Sequence, residues 1–315
     1  VHDPAEGDLP VKPTAVRLEG VSKSFQGLSA VSDLSLEIPR GELFGLLGPN
    51  GAGKTTTIRM ITDILRPDTG RIEILGERAG PASRDRLGYM PEERGLYPRM
   101  VLSEQLVFLA EIRGVPRGVA RKRLPPWLER MGLKDAAGKR TNELSKGMQQ
   151  KAQFIATVLH DPEVLILDEP TSGLDPSGAE LMREVLLELK RQGKTLVISS
   201  HQMEVVERMC DSIALIDRGR KVLDGPLVEV KKRHGRNTVA LSFEGDANFV
   251  ATLPGVLRAS DHGHFMEIQL TEGADPQMIL REAAARLRVS RFEVVEPSLR
   301  DIFLAVTGGK AAPAA

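Results

Sequence analysis

The stretch Gly48-Pro49-Asn50-Gly51-Ala52-Gly53-Lys54-Thr55-Thr56 constrains this chain more than any other. It fits the pattern G-x-x-x-x-G-K-[ST]. Residues 42–47 (ELFGLL) before it read as a short buried strand, and residues 56–65 after it read as a helix. That strand–loop–helix context is what a phosphate-binding loop requires. Glycines let successive backbone N–H groups turn inward around phosphate oxygens, and the helix N-terminus adds partial positive charge at the same point. Lys54 has the reach for β- and γ-phosphates, and Thr55 offers a hydroxyl to Mg²⁺. Residues 48–56 are therefore the expected nucleotide-binding residues.

Length and charge set the frame around that loop. The 315 residues suffice for one large domain and a smaller one. Lys+Arg and Asp+Glu are both 43, so net charge gives no sign of a nucleic-acid partner. No apolar run approaches the roughly 20 residues needed to cross a bilayer. Residues 1–13 hold acids and prolines without an apolar core segment, and read as a mobile tail rather than a signal peptide. Cys210 is the one cysteine, which excludes an intrachain disulfide and suits a reducing cytosol. Aromatic residues make up 4%, too few for base-stacking platforms.

Residues 15–19 and 34–38 alternate apolar with polar, as half-buried strands do. Phe25 lies between them, before a glycine turn, with a flat face suited to a base. Strands are expected at 71–75 and 86–90. Residues 93–160 change character to a mostly helical insert, with helical spacing at 102–113 and 119–131. Pro125-Pro126 is expected to break the second helix. The basic run 113–123 is a solvated helix face, with a membrane-surface contact as the alternative. Ser145 suits the N-cap of a helix reaching residue 159. Residues 164–167 (VLIL) and 195–199 (TLVIS) have the unbroken apolar character of central parallel strands. A helix at 177–191 separates them. Residues 212–216 and 221–223 form a hairpin.

The basic run at 231–236 marks a boundary. Beyond it the expected order is strand (238–243), helix (247–253), two strands (256–260 and 264–270), helix (276–287) and strand (291–295). This β-α-β-β-α-β order fits a small ferredoxin-like domain. A last helix covers 298–306, and the Ala/Pro-rich end reads as disordered. The fold class is thus α/β, a phosphate-loop NTPase core with antiparallel N-terminal strands and a helical insert. A small α+β C-terminal domain at 237–308 follows.

Asp168 ends an apolar strand, where a rigid backbone holds a carboxylate ready for Mg²⁺ or its waters. Glu169 follows and is expected to point elsewhere, because strand neighbours alternate. It is placed to orient or deprotonate an attacking water, which favours hydrolysis. His201 lies just past the end of a neighbouring strand, at the edge where open α/β sheets bind ligands. Ser145, Lys146, Gly147 and Met148 open a helix and make a second anion site. A second site for one nucleotide makes sense if it closes over ATP held by another subunit. Asp261, His262 and His264 lack further ligands at zinc-like spacing and read as a polar turn.

With these motifs placed, the chain resembles the nucleotide-binding subunit of an ATP-binding cassette (ABC) transporter. The phosphate loop, LSKGMQQ, VLILDEPTSGLD and SSH occur in that family's order and spacing, covering most of residues 15–234. The resemblance implies a head-to-tail dimer with two ATPs between the subunits, an ABC-type ATPase core spanning 14–234, and a polytopic membrane permease as partner. It implies a cytoplasmic location, peripheral on the membrane. Phe25 would stack on adenine. Lys54 and Thr55 would take phosphates and Mg²⁺. Ser145 and Gly147, in the trans signature of residues 145–148, would reach the γ-phosphate of ATP held by the partner subunit. Glu169 would be the base, His201 the γ-phosphate switch, and Asp175 would cross the interface. Two positions depart from the family pattern. Lys146 and Met148 replace a glycine and a glutamine of the usual LSGGQ. Glu92 stands where a glutamine usually approaches Mg²⁺ and the water, and a carboxylate there still suits Mg²⁺.

GYMPEERGLYPRM at 88–100 and PSLRDIF at 297–303 are similar to the sodium-efflux (NatA-like) export branch, which carries a C-terminal extension. Two other readings compete. A soluble cassette ATPase remodelling DNA or ribosomes would need a long coiled coil between residues 54 and 145, or a second cassette. A kinase or switch GTPase leaves LSKGMQQ and SSH without a role.

Overall fold

The computed structural model describes residues 13–307 except 94, 235–237, 264, 272 and 296. Residues 1–12 of the expected N-terminal tail and residues 309–315 lie outside the described residues, as do His264 and part of the basic boundary run.

In chain order the first unit contains β1 (Thr14–Phe25), β2 (Leu28–Pro39), β3 (Leu43–Leu47), α1 (Lys54–Ile61), β4 (Thr69–Ile74), β5 (Glu77–Arg78), α2 (Pro81–Arg84) and β6 (Leu87–Met90). Next come α3 (Leu102–Ile112), α4 (Arg117–Arg130), α5 (Lys146–Val158), β7 (Val164–Asp168), α6 (Pro176–Arg191), β8 (Thr195–Ser200), α7 (Met203–Glu207), β9 (Ser212–Asp217) and β10 (Arg220–Pro226). The chain divides into two compact units between Asp224 and Gly225. That division precedes the expected boundary at 231–236, because residues 231–234 of the basic run belong to α8 (Leu227–His234) of the second unit.

Two sheets build the first unit. The antiparallel one has the order β2-β1-β4-β5. Its alternating strands bury Val16, Leu18, Leu34, Leu36 and Ile38 on one face. The other sheet has six strands in the order β10-β9-β3-β8-β7-β6. Neighbours from β9 to β6 pair in parallel. Every residue of β3, β7 and β8 is buried, which accounts for their unbroken apolar sequences. Register then decides function. Leu47 pairs with Ser200, Asp168 with Ser199, and Met90 with Leu167. The phosphate loop, the Asp-Glu pair, the SSH run and residues 91–93 therefore leave the sheet along one C-terminal edge.

Residues 102–158 are mostly helical, and α4 runs unbroken through Pro125 and Pro126. Each proline removes a helix N–H donor. Burial of Leu124 and Leu128 opposes that loss, as does the edge-on contact of Trp127 with Phe154 at 6.0 Å between ring centres.

After α8 the second unit continues with β11 (Thr238–Glu244), β12 (Val256–Asp261), β13 (Met266–Leu270), α9 (Pro276–Arg286), β14 (Arg288–Val295) and α10 (Leu299–Val306). The sheet order is β12-β13-β11-β14, and every neighbouring pair is antiparallel. That is the split β-α-β arrangement of ferredoxin-like domains. The expected helix at 247–253 is a short 3₁₀ turn, Asn248–Thr252. The unit has its own core, with Val239, Leu241, Ile268, Ile279 and Ala283 at its centre.

Candidate active site

The phosphate loop leaves β3 and enters α1, and its glycines fit where little else does. Gly53 has φ +105°, and a Cβ there would meet the Ala30 carbonyl oxygen at 2.5 Å. Ala52 N–H donates to the Pro49 carbonyl at 3.1 Å, closing the turn. Lys54 is 7% exposed, and its Nζ donates to the Gly48 carbonyl at 2.7 Å and the Pro49 carbonyl at 3.0 Å. Burial holds its ammonium below the usual lysine range, against the opposing pull of Glu169, Asp168 and Glu92.

A cleft of about 440 Å³ opens over this loop. Residues 50–56 line it together with Ala30, Glu92, Asp168, Glu169 and His201. Thr55 Oγ1 donates to Asp168 Oδ2 at 3.2 Å. Ser199 Oγ donates to the other oxygen, Asp168 Oδ1. The carboxylate is 2% exposed and fixed from two sides. Among the described residues no group of three or more His, Cys, Asp or Glu gathers as a metal cluster. One carboxylate beside one hydroxyl is the sparse oxygen set that suits Mg²⁺, which keeps waters and takes substrate phosphates as its other ligands.

Glu169 departs from the expected reason for its direction. It lies outside β7 and adopts φ +49°, so a left-handed turn, rather than strand alternation, separates it from Asp168. Its Oε1 accepts the His201 backbone N–H at 2.8 Å and lies 2.6 Å from His201 Nδ1. Ser200 Oγ donates to Oε2 at 3.4 Å. The Glu169 main chain is held by Gln150, whose Nε2 donates to the carbonyls of Glu169 at 3.2 Å and Pro170 at 3.3 Å.

The other expected residues stand elsewhere. Ser145 caps α5, its Oγ accepting the Met148 N–H at 3.2 Å. A Cβ on Gly147 would lie 3.4 Å from the Gly173 carbonyl, so the signature turn adjoins the loop leading to Asp175. Asp175 caps α6 by accepting the Gly178 N–H at 2.9 Å. Neither residues 145–148 nor Asp175 line the cleft. Phe25, 47% exposed at the end of β1, does not line it either. One chain thus carries two separate constellations.

Sequence reading missed Ser199, Ala30, Gln150 and Gln153. The glutamines had a signal. They lie three apart in a helix whose neighbouring residues include the apolar Ala152, Phe154 and Ile155, where a buried polar side chain needs a partner.

A phosphate cradle at the C-terminal edge of a parallel sheet, facing a strand-end carboxylate and a second acid held by histidine, defines a phosphate-loop nucleoside triphosphatase. Comparison with known proteins narrows the class. The family described as "ABC transporter" matches residues 31–172, and "ATP-binding protein DrrA1-3-like, C-terminal domain" matches residues 225–307. The chain is 42% identical over 291 residues to the "Uncharacterized ABC transporter ATP-binding protein YhaQ" of Bacillus subtilis (strain 168), covering 92% of this chain and 98% of that one. It is 35% identical over 299 residues to "Nod factor export ATP-binding protein I" of Rhizobium sp. (strain N33), covering 93% and 97%. It is 33% identical over 305 residues to "Linearmycin resistance ATP-binding protein LnrL" of Bacillus subtilis (strain 168), covering 93% and 98%. The solved "Structure of ATP binding subunit of ABC transporter" matches with TM-score 0.66 at 33% identity, covering 70% of this chain and 93% of that chain. The chain belongs to the ATP-binding subunits of ABC transporters, and it is an ATPase of that family.

Proposed function

We propose that this chain is the ATP-hydrolysing motor of an exporter, working as a head-to-tail pair on the cytoplasmic face of a polytopic membrane permease. One observation carries the pairing. The cleft holds the phosphate loop, Asp168, Glu169 and His201, while Ser145–Met148 stand apart from it beside the loop before Asp175. Each cleft gains a second anion-binding helix N-terminus only from another copy or a homologous subunit.

Lys54 and the backbone N–H groups of residues 50–55 take the phosphates. Thr55 and Asp168, with Glu92 at the rim, hold Mg²⁺. That ion, when bound, neutralises the charge developing on the phosphoryl oxygens. Glu169 orients the attacking water and accepts its proton. His201 keeps the Glu169 carboxylate in place through Nδ1 and leaves Nε2 for the γ-phosphate. Phe25 stacks on adenine at the end of the β1–β2 hairpin. Asp175 sits at the pair's interface. The binding energy of ATP across two surfaces draws the copies together, and hydrolysis releases them.

The permease docks on the groove between the end of α1 and α3. It has a volume of about 630 Å³, and its lining includes Ile64, Tyr89, Ile112, Arg84 and Arg113. Ile64 and Ile112 are 62% and 61% exposed, an apolar pair suited to a short helix from a membrane partner. Among the described residues no helix is long and apolar enough to cross a membrane. Export is supported by the relatives named for Nod factor export and linearmycin resistance.

The test is co-purification. The tagged chain is isolated from native membranes in mild detergent and its partners identified by mass spectrometry. A stoichiometric polytopic membrane protein is expected, lost when Ile64 and Ile112 are both changed to Asp. Recovery of the chain with soluble partners only would contradict the proposal.

A further inference from the structure

Gln150 and Gln153 share one face of α5, the helix that begins at the Ser145 cap. They are 2% and 4% exposed. Gln150 holds the main chain of Glu169. Gln153 does the same for a different segment: its Nε2 donates to the Pro91 carbonyl at 2.7 Å and the Glu93 carbonyl at 3.3 Å. Those two carbonyls flank Glu92. The Glu92 side chain lines the cleft and contributes with Asp168 and Glu169 to the field at Lys54.

Glu92 itself is exposed, on a loop that follows the edge strand β6. A carboxylate on such a loop loses conformational freedom when it engages a cation, and that loss weakens binding. Fixing the main chain on both sides of it removes part of the loss beforehand. A primary amide suits the task, because its two N–H groups serve two carbonyls from a buried position.

We propose that Gln153 is a positioning residue for Glu92. Through the main chain of residues 91–93 it holds the Glu92 carboxylate at the cation side of the cleft, and so ties the signature helix to Mg²⁺-dependent hydrolysis. This rests on the reading of Glu92 as a cation contact.

The test is steady-state ATPase of the full chain with Mg²⁺ titrated, for wild type, Gln153→Met, Glu92→Ala and the double variant. Gln153→Met is expected to lower kcat about tenfold, to raise the half-saturating Mg²⁺ concentration at least about threefold, and to weaken equilibrium Mn²⁺ binding to the ATP-loaded chain, followed by electron paramagnetic resonance, by the same factor. KM for ATP stays within about twofold, because the phosphate loop keeps its contacts. In the Glu92→Ala background the same change costs less than about twofold, since its route of action is already gone. Should Gln153→Met not fold, Gln153→Asn is measured in the same cycle; one carbon shorter, it cannot span both carbonyls, and the same non-additivity is expected. Fully additive losses, or a kcat loss with unchanged Mg²⁺ dependence, overturn the positioning role while leaving Glu92 as a cation contact. Wild-type Mg²⁺ dependence of Glu92→Ala alone removes the role of Glu92, and the proposal with it.

Discussion

His201 engages Glu169 twice: its backbone N–H donates to Oε1 at 2.8 Å, and its ring Nδ1 lies 2.6 Å from the same oxygen. A carboxylate on a left-handed turn after a strand has no regular structure to hold it. The histidine supplies that restraint from the neighbouring strand end. Glu169 and His201 are therefore one coupled unit, not two independent groups.

That coupling gives the first prediction. His201→Ala should lower kcat about 100-fold with ATP affinity changed less than about threefold. Adding it to Glu169→Gln should cost little more, because the two act together. Single-turnover hydrolysis beside equilibrium ATP binding measures both. Additive losses would show that His201 acts independently of the base.

Lys54 gives the second. Its ammonium is held below the usual lysine range, chiefly by burial. A lysine depressed in this way costs stability while protonated, and the cost is relieved as pH rises from its folded value toward the ordinary one. Lys54→Met should therefore leave the nucleotide-free protein unfolding no lower than wild type. ATP at 100 times Kd should stabilise wild type by about 2.7 kcal/mol and the variant hardly at all. Thermal unfolding with and without ATP checks this. Undiminished stabilisation of the variant would remove Lys54 from phosphate binding.

A third concerns acid. His160 Nε2 donates to the Leu87 carbonyl at 3.0 Å, and burial is the main cause holding its ring below the usual histidine range. As pH falls through the ordinary histidine value, the unfolded chain takes up the proton first, so stability is lost on the acid side. The slope is at most one proton, about 1.4 kcal/mol per pH unit. His160→Gln keeps a donor for Leu87 and should flatten urea-unfolding stability below about pH 6.5. An unchanged acid slope would show that other groups set it.

Much of this was readable in advance, and the reasons differ by residue. The apolar runs of β3, β7 and β8 announce buried parallel strands because nothing polar interrupts them. The phosphate loop is a local object, written in consecutive residues, and so is the Ser145 cap. The β-α-β-β-α-β order of the second unit was legible from periodicity, and the pairing of its strands agrees with it. Long-range partners were not legible. Ser199 bonds Asp168 only because β8 and β7 are in register. Gln153 meets residues 91 and 93 only because α5 packs beside the end of β6. Pro125-Pro126 misled because helix propensity is local while the packing around Leu124, Trp127 and Leu128 is not. The boundary run misled because a basic segment suits a helix C-terminus as well as a linker.

The central claim is that Glu169 is the base of a site completed by a second copy. The most direct measurement is light scattering of Glu169→Gln on a sizing column, with ATP and Mg²⁺, beside its ATPase rate. The account predicts turnover reduced at least about 1000-fold, retained ATP, and a dimer that reverts to monomer when nucleotide is removed. Turnover near wild type, or a monomer that holds ATP, would contradict it.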